Sequence, residues 1–274
     1  MQTLKRKLFH LIWAIVLIYT PLYIISAVKN AAPPPAVSYV RTSKPKPAPL
    51  RDQTGPSPFQ GRLSLMVPPF KDDIRVPEKF REEGYRYKGL GFRSHSVQGR
   101  RVTLIAFGQN LQPYFANGFF KGFIPFQTTS KWVPMRHIAR EMRYEPDTVQ
   151  FPGYTDIWLS SEEAYLRKRG DCEDHAILLA DWLVGMGYDA RVAIGSIKDE
   201  GHAWVVLFEE GKTYLLEATS GYEHHRFPLA SLLPQYHPIG MFNDRFIWYN
   251  YGSSLTTDYS DAKWVKTARF ERFR

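Results

Sequence analysis

Hydrophobic and polar positions divide the chain into three stretches. Residues 8–28 form an apolar run of 21 residues with no acidic or basic side chain except His10. At the helical rise, a segment of that length spans about 30 Å, the thickness of a bilayer's hydrocarbon core. A cleaved signal peptide has a shorter apolar region ending in small residues, and Ser26-Ala27-Val28-Lys29 offers no such site. The run therefore predicts a retained transmembrane helix, kinked at Pro21, and Lys5-Arg6-Lys7 in front of it predicts a cytoplasmic N-terminus. Residues 31–58 hold eight prolines, with Lys44-Pro45-Lys46-Pro47 at polyproline spacing. From Gly61 the pattern becomes globular. The predicted organisation is an anchor (1–29), a Pro-rich linker (30–60) and one folded domain (61–274).

Within that domain, short apolar runs such as residues 102–107 (Val-Thr-Leu-Ile-Ala-Phe) read as strands between Gly- and Pro-containing loops. Pro134 opens a helix through Ile138 to Met142. Ser160 or Ser161, followed by Glu162 and Glu163, caps a short helix ending near Arg169-Gly170. Gly170 breaks that helix, and Asp171 is a favoured N-cap for a second one starting at Cys172. In this second helix Cys172, Ala176, Leu179, Ala180 and Leu183 recur on one face, and Gly185 and Gly187 end it. Residues 190–196, 202–208 and 213–218 then read as three strands. A helix followed by antiparallel strands predicts an α+β fold.

Charge narrows the function. The total is +9, but residues 1–60 carry eight basic side chains against Asp52 alone. The folded part keeps only +2 of the excess, so it lacks the basic footprint of a nucleic-acid binder. One cysteine excludes an intramolecular disulfide framework and a multi-cysteine zinc site.

That cysteine is placed for chemistry. A thiol at a helix N-terminus lies in the positive field of unpaired amides, which predicts titration below the free value of ~8.5. If the strands around Glu210-Gly211 form a hairpin with a two-residue turn, Trp204 lies opposite Glu217 and His202 opposite Thr219. His202 and Glu217 are then diagonal neighbours on one face, an imidazole beside a carboxylate that can fix its tautomer. An odd loop would break this parity. The alternative is a structural cysteine in a core helix. His175, one turn beyond Cys172, is a competing base with no obvious orienting acid. His224-His225 and His237 lack metal-ligand spacing with acids, and the aromatic residues within 242–273 read as core, with a sugar- or peptide-stacking surface as the alternative.

The motifs Gly170-Asp171-Cys172-Glu173-Asp174-His175-Ala176, Gly187-Tyr188-Asp189-Ala190-Arg191-Val192, Gly201-His202-Ala203-Trp204-Val205 and Leu216-Glu217-Ala218-Thr219 resemble the transglutaminase-like superfamily. Within it the chain is similar to bacterial transglutaminase-like cysteine proteinases of the LapG type, periplasmic enzymes that clip surface adhesins. Asp156-Ile157-Trp158 through Ala180 carries the closer likeness. The resemblance implies a papain-like core, with the cysteine helix packed on an antiparallel sheet. It implies Cys172 as nucleophile, His202 as general base and then acid, and Glu217 as orienting carboxylate, where the family usually has Asp. It also implies calcium bound by Asp171 and Glu173, whose alternative role is to cap the helix and complement its dipole. The expected function is a thiol hydrolase, a cysteine peptidase on the periplasmic side of the inner membrane, with a cell-surface or envelope protein as substrate. Acyl transfer to an amine, or a non-catalytic peptide- or cell-wall-binding module, are the alternatives.

Overall fold

Thirteen strand segments and four α-helices are built from these patterns in a computed structural model that describes residues 59–66, 73–80, 92–97, 99–219 and 228–273. All of these lie in one compact unit, Gln53–Arg274. The apolar run 8–28, the linker prolines of residues 31–58 and His224-His225 lie outside the described residues. No described helix is long and apolar enough to cross a membrane.

In chain order the elements are β1 (Gly61–Leu65), β2 (Asp73–Ile74), β3 (Arg93–Val97), β4 (Arg100–Phe107), β5 (Pro113–Phe115), α1 (Val133–Glu141), β6 (Arg143–Tyr144), α2 (Asp147–Gln150), α3 (Ser161–Arg167), β7 (Arg169–Gly170), α4 (Cys172–Gly185), β8 (Asp189–Ile197), β9 (Glu200–Glu209), β10 (Lys212–Leu216), β11 (Tyr236–Phe242), β12 (Phe246–Asn250) and β13 (Trp264–Arg272). Eight strands form the main sheet in the order β10-β9-β8-β11-β12-β13-β1-β2, antiparallel throughout. The fold is thus the mixed α and antiparallel β arrangement expected, with α4 lying on β8 and β9.

The β9–β10 hairpin has the register that the sequence predicts. Glu209 pairs with Lys212 and Val205 with Leu216. The turn residues Glu210 and Gly211 both have positive φ, 49° and 72°, the geometry of a two-residue hairpin turn matched to strand twist. Strand β10 ends at Leu216, so Glu217 follows directly after the last ladder pair, and the chain bends at Ala218 and Thr219.

Helix α4 departs from a one-faced reading, since every residue from Glu173 to Leu183 is buried. Sheet strands cover one side, and α1 and α3 pack on others. Such a helix carries polar side chains only where each is satisfied. Asp181 meets that requirement: its carboxylate accepts the backbone amides of Lys121 (2.8 Å), Gly122 (3.1 Å) and Phe123 (3.0 Å), and the Ser161 hydroxyl (2.5 Å). Asp181→Ala would strand these donors, and urea unfolding should show a loss of about 3 kcal/mol, with a smaller loss for Asp181→Asn. An unchanged urea midpoint would mean that these bonds are replaced by water at no cost.

The sheet's other face buries Ala193, Trp204, Val206, Met241, Trp248, Tyr259 and Trp264. Most of the aromatic C-terminal residues are core, as expected, with Tyr251 and Phe273 exposed. Its arrangement as β12 and β13, with β13 pairing β1 from the start of the domain, was not foreseen.

Candidate active site and its acidic cluster

Gly170 sets the entry to α4. A Cβ there would lie 2.5 Å from Asp174 Cβ, so the chain can run this close to the helix only without a side chain. The Asp171 amide donates to Asp174 Oδ2 (3.4 Å), and Asp174 Oδ1 accepts from Leu159 N (2.8 Å). Cys172 follows as the first helical residue, its own amide among those with no partner inside a helix.

Across the sheet end, His202 Nε2 and Glu217 Oε2 are 2.7 Å apart. Glu217 Oε1 accepts from Thr219 N (3.1 Å) and Thr219 Oγ1 (2.6 Å), and the Tyr236 hydroxyl donates to Oε2 at 3.3 Å. Burial opposes ionisation of Glu217, yet the hydrogen bonds from His202 and Thr219 outweigh it and hold the carboxyl below its ordinary range. An ionised carboxylate only accepts, so His202 carries its proton on Nε2 and leaves Nδ1 as the basic nitrogen. Trp204 stacks beside the imidazole, with ring centroids 6.1 Å apart, and is itself held by a bond from Nε1 to Tyr259 Oη (3.0 Å).

The backbone amide of Ala203, next to His202 in sequence, favours the thiolate of Cys172. The thiol's own hydrogen bond goes to Glu173 Oε2 at 3.3 Å, not to His202. His175 is buried, its Nδ1 2.7 Å from the Asp171 carbonyl, and burial lowers its basicity. It is part of the helix packing. His237 lies on β11 opposite Ser196, away from the acids.

The expectation of an acidic thiol is corrected here. Burial first, then the charge of Asp171, pushes Cys172 up to about 12. A helix N-terminus contributes only a partial charge, and a buried carboxylate one residue away cancels it. Asp156 adds to the effect, within a wider acidic cluster. Asp147, Asp156 and Glu173 bring carboxylate oxygens within 4.8 Å of one another, as do Asp147, Asp171 and Asp174. Asp147 accepts the Ile157 amide, and Asp156 accepts from Phe92 N (2.9 Å) and Trp158 Nε1 (2.7 Å). Sequence spacing did not reveal this cluster, because two of its members come from the segment between α1 and α3. Tyr236 and Thr219 were likewise not assigned to the site.

Burial and the neighbouring charge of Asp171 raise Asp147 to about 8 and Asp156 to about 6. The folded protein therefore binds these protons more tightly than the unfolded chain, whose aspartates titrate at about 4. Their contribution to stability is full below that value and lost as pH rises through the folded values. Glu217 acts in the opposite direction, but only below its ordinary range. In a chelator, the melting temperature should fall as pH rises from about 5 to about 8. A rise over that interval would contradict the burial of these carboxyls.

Residues 156–273 match the family model described as the CEP76 peptidase-like domain. Protein CC2D2B of Homo sapiens is 31% identical over 133 residues, which cover 45% of this chain and 9% of that protein. The centrosomal protein of 76 kDa from Danio rerio is 46% identical over 50 residues, 18% of this chain and 8% of that protein. The chain thus spans only a small part of the length of these curated relatives. Among solved structures, LapG of Legionella pneumophila is 22% identical with a TM-score of 0.37, covering 54% of this chain and 83% of its own. A calcium-bound form of the same protein matches at 21% and 0.37, over the same shares. The chain is therefore similar, over residues 156–273, to the CEP76 peptidase-like family.

Proposed function

We propose that the protein is a thiol hydrolase of protein amide bonds, with Cys172 as nucleophile, His202 as base and acid, and Glu217 as the carboxylate that orients His202. The observation that carries this reading is the 2.7 Å contact between His202 Nε2 and Glu217 Oε2, next to Ala203, whose backbone amide favours the thiolate of Cys172. In the reaction, Cys172 Sγ gives its proton to His202 Nδ1 and attacks the substrate carbonyl carbon. The C–N bond breaks, the amine leaves with the proton from His202, and a thioester remains on Cys172. Water, deprotonated by the same imidazole, then attacks the thioester, releases the acid and restores the thiol. The Cys172 amide is the first donor to the oxyanion.

The acidic cluster fits a hard divalent cation. Its donors are carboxylate oxygens, and Asp171 Oδ1 is buried with no hydrogen-bond partner. Asp171 and Glu173, joined by Asp147 and Asp156, are the residues that would hold calcium. Bound there, it would neutralise the carboxylates that now disfavour the thiolate. Glu173 would then no longer be free to accept the Cys172 proton, and the thiol would turn to His202.

A second reading is favoured by the present contacts. A thiol bonded to Glu173 and pushed up to about 12 suits a non-catalytic peptide-binding module. The discriminating experiment is hydrolysis of a fluorogenic peptide mixture with calcium or EGTA. The hydrolase reading expects calcium-dependent turnover, abolished in Cys172→Ala, with the variant's melting temperature within about 2 °C of wild type. Equal turnover in both proteins would exclude it, and an amine-dependent product would point to acyl transfer instead.

The substrate is proposed to be an envelope or cell-surface protein, reached from the outer side of the inner membrane. That placement is supported by the apolar run at residues 8–28 behind Lys5-Arg6-Lys7. A phosphatase fusion after Arg51 should be active, and a cytoplasmic report from the same fusion would overturn the placement.

A further inference from the structure

Tyr144 is a large aromatic residue that the catalytic scheme does not use, and its position next to the thiol is unusual. It sits on β6, which pairs in parallel with β7 so that Tyr144 lies opposite Gly170, two residues before Cys172. Its ring centroid is 6.1 Å from that of His175, one turn beyond Cys172 on α4. Cys172 and Glu217 both lie within electrostatic reach of its phenol. Yet 49% of the residue is exposed, and its hydroxyl has no hydrogen-bond partner among the described residues. A buried neighbourhood on one side and open solvent on the other describe a wall rather than a core residue.

The backbone is equally open. Arg143 N donates to Lys168 O (3.0 Å) and Glu145 N to Gly170 O (2.9 Å). Successive residues of a strand point their amides to opposite sides, so the N–H and carbonyl of Tyr144 face away from β7. Among the described residues no strand pairs with that edge, and β6-β7 is a two-stranded ribbon. The ribbon is fixed by Arg143 and Arg169, which both bind the buried Glu145 carboxylate. A rigid open edge and a half-exposed ring beside a nucleophile meet the two needs of extended-peptide recognition: main-chain bonds for affinity and a side-chain contact for selection.

We propose that an extended segment of the substrate docks as a third strand along the outer edge of β6, and that Tyr144 is the specificity-determining residue, packing against an apolar or aromatic side chain next to the scissile bond. The class of substrate is therefore a locally unfolded, apolar-containing protein segment rather than a folded surface. This deepens the proposed hydrolase function and rests on it for the cleavage arm only.

Two measurements test it on the full chain in calcium. First, wild type, Tyr144→Ala and Tyr144→Phe digest a proteome-derived peptide mixture, and mass spectrometry reads the cleavage sites. Wild type and Tyr144→Phe should share a preference for an apolar or aromatic residue at one position beside the cut. Tyr144→Ala should lose that preference and raise KM about tenfold, with kcat changed far less. Second, calorimetry measures binding of a decapeptide with a central phenylalanine to Cys172→Ala, alone and combined with Tyr144→Ala. Binding should weaken about tenfold in the double variant. Cleavage whose site preference and KM ignore Tyr144→Ala overturns the inference alone. Tyr144-dependent binding without any cleavage leaves the docking edge standing and removes the hydrolase. Neither cleavage nor binding overturns both.

Discussion

Replacing Glu217 by glutamine should lower turnover by about four orders of magnitude with little change in unfolding, the scale seen when a triad carboxylate becomes an amide. The hydrogen bonds dictate the direction. Thr219 presents two donors to one carboxylate oxygen, so the glutamine carbonyl would turn toward Thr219. Its NH2 would then face His202 Nε2, which would have to accept rather than donate. The imidazole proton would move to Nδ1, the nitrogen that must receive the cysteine proton. Tyr236 would also lose its acceptor. Glu217→Asp keeps the charge and the acceptor role with a shorter reach, so it should lose much less. Steady-state kinetics on the two variants decide the matter. Full activity in Glu217→Gln would mean that another acid serves His202, or that Cys172 and His202 never exchange a proton.

Calcium should raise the alkylation rate of Cys172 at neutral pH by roughly a thousandfold, the difference in thiolate population between a group at about 12 and one near the free value. Burial of the thiol and the charges of Asp171 and Asp156 act against the thiolate. Iodoacetamide labelling followed over pH in EGTA and in calcium would report this directly. In EGTA, the rate should still be climbing at the highest pH at which the fold survives. With calcium, the midpoint should move to near that of a free thiol, and Asp171→Asn should raise reactivity in EGTA. Equal profiles in both solutions would separate the acidic cluster from the thiol.

Much of the site was legible in the sequence because its geometry is local. Glu210-Gly211 specifies a two-residue turn, and the register it sets, from Glu209 with Lys212 to Val205 with Leu216, brings His202 to Glu217. Gly170-Asp171 likewise places Cys172 at the first turn of a helix. What escaped was non-local. Strand β13 joins β1 across the whole domain, a pairing that no local pattern encodes. Tyr236 reaches Glu217 from β11, Asp147 reaches Asp171 from the start of α2, and Asp156 reaches Glu173 from the segment before α3. The thiol's electrostatics were misjudged for the same reason. The helix N-terminus is visible in sequence, whereas the depth of burial and the converging carboxylates that outweigh it appear only once the chain is folded.

The central claim is a covalent acyl group on Cys172. Wild-type protein mixed with a peptide amide substrate in calcium, quenched in acid before the first turnover is complete, should show by mass spectrometry an added mass equal to the acyl half of the substrate. Fragmentation should place it on Cys172, and Glu217→Gln should accumulate it far more slowly. Hydrolysis that proceeds with no adduct on Cys172, or that persists in Cys172→Ala, would contradict the account.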